Sequence, residues 1–204
     1  MADNSKNLIK VYSKLGIKYL DDIENYCPKE IFDFMDMLPK NSRVLEIGCA
    51  GGRDAKIFIN HGYTYTGIDL VQKFIIEARR RVPKGHFKKM SILELKFPDR
   101  YFDAIWANAV LLHLDKKDVP KSINNMYRVL KPKGKIHIRV KKGSETANIK
   151  EKLSAGQSRL FTFFHKKELE RYVKAGGFKI ILSKILPDDL GRDIKWISVW
   201  GEKI

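Results

Sequence analysis

The run Glu46-Ile47-Gly48-Cys49-Ala50-Gly51-Gly52, together with Asp69 at the end of Tyr65-Thr66-Gly67-Ile68-Asp69, holds the residue types and spacing best suited to chemistry. Small side chains let a ligand lie against the backbone, and an acid about 20 residues further on can accept hydrogen bonds from ribose hydroxyls. The combination predicts a nucleoside-cofactor site. A dinucleotide is disfavoured: counted from Gly48, the second and third glycine positions of G-x-G-x-x-G hold Ala50 and Arg53, so the pyrophosphate fingerprint is broken. Alanine at position 50 predicts a backbone with negative φ there, with Gly51 supplying the flexibility. A glycine turn that only packs a helix on a sheet is the plainer alternative.

A buried strand over 43–48 must deliver that turn, and a second over 64–69 must deliver Asp69. Helices over 53–61 and 71–82, strands over 86–90 and 102–107, a helix over 117–130 and a strand over 134–141 continue the alternation, which implies βαβ units and a parallel sheet. Asp115 is placed to cap the helix, and Lys131-Pro132-Lys133-Gly134 to turn the chain into the next strand. Upstream, Leu8, Val11 and Leu15, then Ile31, Phe34, Met35 and Leu38, suit amphipathic helices, with Pro28 initiating the second. The expected organisation is a single domain over 1–204: a helical cap over 1–40, a cofactor-binding core over 41–142 and a closing region over 143–204. In the last, 143–160 lacks periodicity and reads as a loop, a candidate lid; a helix over 165–175 and two apolar strands near 178–183 and 195–200 follow.

Forty basic side chains against twenty-four acidic ones leave a formal charge of +16, which raises the question of an anionic partner. The charge is mostly lysine and scattered. Arg79-Arg80-Arg81, Lys131-Pro132-Lys133 and Lys141-Lys142 fall in different elements, with no interleaved aromatic platform, so nucleic acid ranks behind a small molecule. No apolar run approaches the ~20 residues of a membrane span, and Met1-Ala2-Asp3-Asn4-Ser5-Lys6 is too polar for a secretory signal. A cytoplasmic protein is expected. Cys27 and Cys49 fit no zinc spacing, and neither a disulfide nor a metal is expected.

Several motifs in a fixed order extend the pattern. Phe102-Asp103-Ala104-Ile105-Trp106-Ala107-Asn108-Ala109 resembles the fourth-strand motif of the class I S-adenosylmethionine-dependent methyltransferases, and Glu46-x-Gly48-x-Ala50-x-Gly52 is similar to that family's first motif, with Ala50 for glycine. Tyr127-Arg128-Val129-Leu130-Lys131-Pro132-Lys133-Gly134 and Ala175-Gly176-Gly177-Phe178 are similar to its passages into later strands. The resemblance, nearest the tellurite-resistance-like and ubiquinone-biosynthesis-like small-molecule group, covers about Tyr12 to Trp200. It implies a Rossmann-like α/β fold: a seven-stranded, mostly parallel sheet with helices on both faces and the last strand antiparallel.

The same resemblance implies S-adenosylmethionine as cofactor. Gly48, Cys49, Ala50 and Gly52 would approach its methionine part and ribose, and Asp69 would take both ribose hydroxyls. Leu70 would flank the adenine, Met90, Ser91 and Ile92 would stand where an acid often binds the adenine amine, and Asn108 and Ala109 would lie under the sulfonium with their backbone facing the methionine. Tyr12 and Tyr19 look like the paired aromatics that close the pocket. Glu46 either touches the cofactor or orders the glycine turn through backbone amides, and Asp69 also reads as a helix cap. His113 is the candidate base near the transferred methyl, against a buried histidine in a turn. Arg139 and Lys141, at the end of the fifth strand, are candidates for an acceptor carboxylate or phosphate; Phe161 and Phe163 are candidates for an apolar acceptor wall. Methyl transfer to O, N or S of a small acceptor is the expected activity. RNA or protein methylation and a non-catalytic cofactor-binding protein are the alternatives.

Overall fold

The computed structural model describes residues 2–150 and 158–204. Seven strands form one sheet in the order β3-β2-β1-β4-β5-β9-β8: β1 (Arg43–Ile47), β2 (Thr64–Asp69), β3 (His86–Lys89), β4 (Phe102–Asn108), β5 (Leu130–Lys141), β8 (Phe178–Pro187) and β9 (Lys195–Lys203). The β1–β2, β1–β4, β2–β3 and β4–β5 pairs are parallel. The last strand, β9, runs antiparallel to both β5 and β8, between which it is inserted.

Side chains alternate across a strand, and this alternation divides the core. On one face Leu45, Ile47, Ile105, Ala107, Ile136 and Ile138 pack under α5 (Val119–Val129) and α6 (Lys166–Ala175). On the other, Val44, Tyr65, Ala104 and Trp106 pack under α2 (Glu30–Met35), α3 (Arg53–Asn60) and α4 (Gln72–Arg81). Helices therefore cover both faces. Burial on both faces also explains the short continuous apolar runs Val44-Leu45 in β1 and Ala104-Ile105-Trp106-Ala107 in β4.

Three boundaries differ from the sequence expectation. The helix expected over 117–130 is a 3₁₀ turn, Lys116–Asp118, followed by α5 with a proline in its first turn, where a missing N–H costs nothing. The strand expected from 134 begins at Leu130, and Lys131 to Gly134 bulge out of it, so that Phe102 pairs with Leu130 but Ala104 with Lys135. The loop expected over 143–160 contains a β-hairpin, β6 (Thr146–Lys150) with β7 (Ser158–Thr162); 151–157, part of that expected lid, lies outside the described residues. The hairpin pairs only with itself, so neither of its faces needed the long apolar run that marks a core strand. The Thr162 hydroxyl donates to the Leu114 carbonyl at 2.6 Å and ties it to the turn after β4.

The N-terminal helix α1 (Ala2–Ile23) breaks at Gly16, whose φ of 59° and ψ of −144° no helix accommodates. The break lets Tyr12 and Tyr19, on either side of it, turn inward together. No helix among the described residues is long and apolar enough to cross a membrane.

Candidate functional site

The chain leaves β1 toward β2 on one side, while β4 lies on the other. Such a reversal opens a crevice at the carboxyl ends of the strands, where ligands of open α/β sheets bind. Here a cavity of about 230 Å³ occupies it, roofed by α1 and the hairpin strand β7.

The floor is the glycine turn. Gly48 and Cys49 donate their amides to the Ile68 carbonyl at 2.8 and 3.0 Å, drawing the turn against β2. Gly48 has φ 77°, and a Cβ there would stand 2.5 Å from Val110 Cγ2, so no other residue fits without displacing Val110. Ala50 does not take the negative φ expected of alanine: its φ is 44°. The turn needs a left-handed residue at this point to aim the Ala50 amide at Asp69 Oδ2, 3.0 Å away, and alanine tolerates that conformation at roughly 1–2 kcal/mol. Gly52, with φ 83°, caps α3 and faces Val82 and Phe87 rather than the cavity; among the expected loop residues it alone is structural packing.

Asp69 closes the turn from β2. Oδ2 accepts from Ala50 and Oδ1 from the Val71 amide at 2.8 Å, so it serves the entry to α4 and the glycine turn at once. Each oxygen keeps a lone pair for a ligand. Burial raises its pKa from 3.8 to about 6 against the lowering effect of those amides; a buried carboxylate with spare acceptor capacity suits two hydroxyl donors.

Under the turn lies a second pair of acids. Glu46 and Asp54 are 4% and 1% exposed. Glu46 does not order the turn through backbone amides as one reading expected: Tyr65 donates its hydroxyl to Glu46 Oε2. Asp54 accepts from Trp106 Nε1 at 2.8 Å and from Arg53 Nε at 2.6 Å. Burial, and then the charge of Asp54, push the Glu46 carboxyl well above its ordinary range. Both acids line the cavity, as does Arg53.

Leu70, Met90, Ser91, Ile92, Asn108 and Ala109 all line it as well. The Ser91 hydroxyl accepts from the Leu93 amide at 3.1 Å, which leaves its proton to donate. Ala109 spends its amide on the Arg139 carbonyl at 3.0 Å; of its own backbone groups, only the carbonyl remains for the methionine contact expected there.

The roof is aromatic and joined by one hydrogen-bonded chain. Tyr12 and Tyr19 meet edge to face at 5.1 Å between centroids, and Tyr19 stacks on Phe74 at 5.8 Å. Tyr12 Oη lies 3.0 Å from His113 Nε2 and accepts from the Arg159 guanidinium. His113 Nδ1 lies 3.3 Å from the Leu160 carbonyl, a contact only a protonated Nδ1 can make, so Nε2 is the lone-pair nitrogen that receives the Tyr12 hydroxyl. Burial, and then the Arg159 charge, lower the His113 pKa to about 3.

Beyond His113 the cavity continues past Phe161, Lys141, Arg139 and Trp196. Arg139 is committed to the wall: it donates to Tyr26 and to Asp189 at 2.6 Å, and its Nε is 3.2 Å from Glu30. Phe163 stays out of the cavity and packs on Gly143 and Phe161. Sequence reasoning missed Tyr26, Arg53, Asp54, Arg159, Arg192 and Trp196 among the lining residues. Arg159 fell inside the segment expected as a lid loop, and the others come together with it only in three dimensions.

The residues present fit a nucleoside cofactor: a side-chain-free turn, an acid with two spare acceptors, apolar flanks at Leu70, Met90 and Ile92, and an aromatic roof. Fold and site together define an α/β nucleoside-cofactor protein. Residues 45–138 match a family described as a methyltransferase domain. A phosphoethanolamine N-methyltransferase of Plasmodium falciparum is 29% identical over 186 residues, 88% of this chain and 70% of that one. Among solved structures, the 1,6-didemethyltoxoflavin-N1-methyltransferase of Burkholderia thailandensis, with S-adenosylhomocysteine bound, matches with a TM-score of 0.80 at 19% identity, over 97% of this chain and 88% of that one. A methyltransferase of Methanosarcina mazei matches at 0.77 and 21% identity, over 84% and 97%. At such identity the two structures speak for the fold. The match over residues 45–138 marks that stretch as similar to a methyltransferase domain, set on the fold that the solved methyltransferases share.

Proposed function

We propose that this chain is a class I S-adenosylmethionine-dependent methyltransferase that binds that cofactor and methylates an O, N or S atom of a small molecule held between His113, Phe161 and Lys141. The observation that carries the reading is that one cavity joins the Asp69 carboxylate to the Tyr12–His113 pair. The relatives whose names state an acceptor act on small molecules, phosphoethanolamine and didemethyltoxoflavin. The net positive charge is what favoured RNA, and its one triple-arginine run is engaged internally: Arg79 donates to the Phe87 carbonyl, Arg80 pairs with Glu77, and Arg81 pairs with Asp21, Glu24 and Glu77.

The cofactor supplies a methyl group already activated on its sulfonium, so the protein has mainly to align and to exclude water. Asp69 holds the ribose hydroxyls, and the turn from Gly48 to Ala50 lets the ligand lie against backbone. Tyr12, Tyr19 and Phe74 keep water from the compartment. A proton leaving the acceptor passes to Tyr12 Oη while the Tyr12 proton moves to His113 Nε2; Arg159 holds the phenol oxygen in place throughout.

The test is incubation with methyl-labelled cofactor and three acceptors, phosphoethanolamine, a hydroquinone and bulk tRNA. Label in either small acceptor, with none in tRNA, is the expected result; label confined to tRNA would overturn the reading.

A further inference from the structure

We propose that the outer face of α1 and α4 docks on an anionic lipid surface, with Ile17 and Ile76 entering the headgroup layer and Lys10, Lys14 and Lys73 meeting its phosphates. Docking of this kind is independent of the methyl-transfer reading.

α1 is amphipathic, and its apolar side is spent on the protein. Val11 and Leu20 are buried, and Tyr12 and Tyr19 turn into the roof of the cavity. Away from that side, Lys6, Lys10 and Lys14 follow one another at four-residue steps, which places them in one row, and all three are exposed. α4 lies alongside: Tyr19 stacks on Phe74 at 5.8 Å, and Asp21 accepts from Arg81 at 2.6 Å. Between those two ties each helix turns an isoleucine outward. Ile17 and Ile76 are each 57% exposed, and α4 adds the exposed Lys73.

The acids of these helices are already neutralised. Asp22 pairs with Lys18 at 2.9 Å, Asp21 and Glu24 pair with Arg81, and Glu77 pairs with Arg80 and Arg81. Lys10, Lys14 and Lys73 hold no ion pair among the described residues, on a chain whose formal charge is +16. Acidic phospholipid headgroups attract such lysines within a Debye length, and exposed aliphatic side chains beside them sink into the boundary between headgroups and acyl chains.

Nucleic acid fits this face less well. Phosphates along a strand are gripped best by arginine forks, and the arginines here are held by Glu77, Asp21 and the Phe87 carbonyl. Bases need exposed rings to stack on, whereas Tyr12, Tyr19 and Phe74 pack on one another beneath the helices. With only two isoleucines left outside, attachment is peripheral and reversible, held mainly by charge. It sets the roof of the cavity, which α1 forms, at the lipid surface.

The test is co-sedimentation of the full chain with vesicles of phosphatidylcholine alone and of phosphatidylcholine with phosphatidylserine, beside a titration with bulk tRNA. Partitioning should be about 100-fold stronger on the anionic vesicles, roughly fivefold for each of three lysines, and should vanish at about 1 M salt, where charges are screened beyond ~3 Å. Lys10→Gln with Lys14→Gln should lower it about 25-fold, and Ile17→Ser or Ile76→Ser severalfold, each with an unchanged thermal melt that shows the fold intact. The three native tryptophans are buried, so Ile17→Trp reports on the face alone, and its emission should move to the blue on anionic vesicles. Equal partitioning on both vesicles, indifference to the lysine pair, or an Ile17→Trp emission unmoved by lipid would overturn the proposal. Tight binding of tRNA without binding of vesicles would overturn it too and assign the face to nucleic acid. Each of these failures leaves methyl transfer standing, and failure of S-adenosylhomocysteine to bind would overturn methyl transfer while leaving lipid docking standing.

Discussion

Replacing Asp69 with asparagine separates the cofactor contact from the scaffold. The carboxylate accepts the Ala50 and Val71 amides at 3.0 and 2.8 Å, and its remaining lone pairs face the cavity. Asparagine keeps one acceptor oxygen and turns an NH₂ toward donors on the other side. Hydrogen bonds to a charged group are worth about 1.5–3 kcal/mol each. Losing one, and weakening the other by removing the charge, predicts a loss of roughly 2–4 kcal/mol, or about 30- to 1,000-fold in S-adenosylhomocysteine affinity by calorimetric titration. The wild type supplies a second arm through pH. The folded pKa of about 6 lies above the ordinary 3.8, so the free protein takes up a proton between those values and gains stability from this group as pH falls. The ribose contact needs the ionised form and weakens over the same descent. Affinity should therefore drop by about tenfold between pH 7 and pH 5, with no such slope in Asp69→Asn. An asparagine variant that binds within threefold of wild type, or a flat wild-type profile, would refute the assignment of Asp69.

Tyr12→Phe removes the hydroxyl shared by His113 and Arg159 and keeps the ring contacts with Tyr19 and Phe74. Turnover should fall by roughly 10²-fold, the low end for a positioned proton-transfer group, with S-adenosylhomocysteine affinity nearly unchanged; equal losses in both would make Tyr12 a packing residue only. Ala50→Gly relieves the left-handed alanine at φ 44° and should raise stability by up to about 1 kcal/mol, read as roughly 2–4 °C in Tm, less what glycine's freedom returns to the unfolded chain. A fall in Tm would show that the strain is not there.

Sequence revealed most of the sheet because apolar runs such as Val44-Leu45 and Ala104-Ile105-Trp106-Ala107, and the alternation Ile136, Ile138, Val140, mark strands without any knowledge of their neighbours. Helix ends were legible to within a residue or two at Arg53–Asn60 and Gln72–Arg81, where amphipathic spacing and turn residues agree. The hairpin of β6 and β7 was not, since its short, polar strands satisfy one another and carry no core-strand signature. At the site, Asp69 and the glycine turn were readable because a local motif carries them. Arg159, Tyr26 and Trp196 were not, because they join the cavity from three distant segments and no spacing within the chain records that meeting. Alanine at position 50 was misread for a related reason: its φ is set by a hydrogen bond to a residue nineteen positions away, against its own preference.

A crystal structure with S-adenosylhomocysteine bound would show directly whether Asp69 holds the ribose. Both ribose hydroxyls are expected on the oxygens of Asp69, the homocysteine part along Gly48 to Ala50, and the sulfur directed toward Tyr12 and His113. A ligand whose ribose lies away from Asp69, or whose sulfur points away from the Tyr12–His113 pair, would contradict that placement.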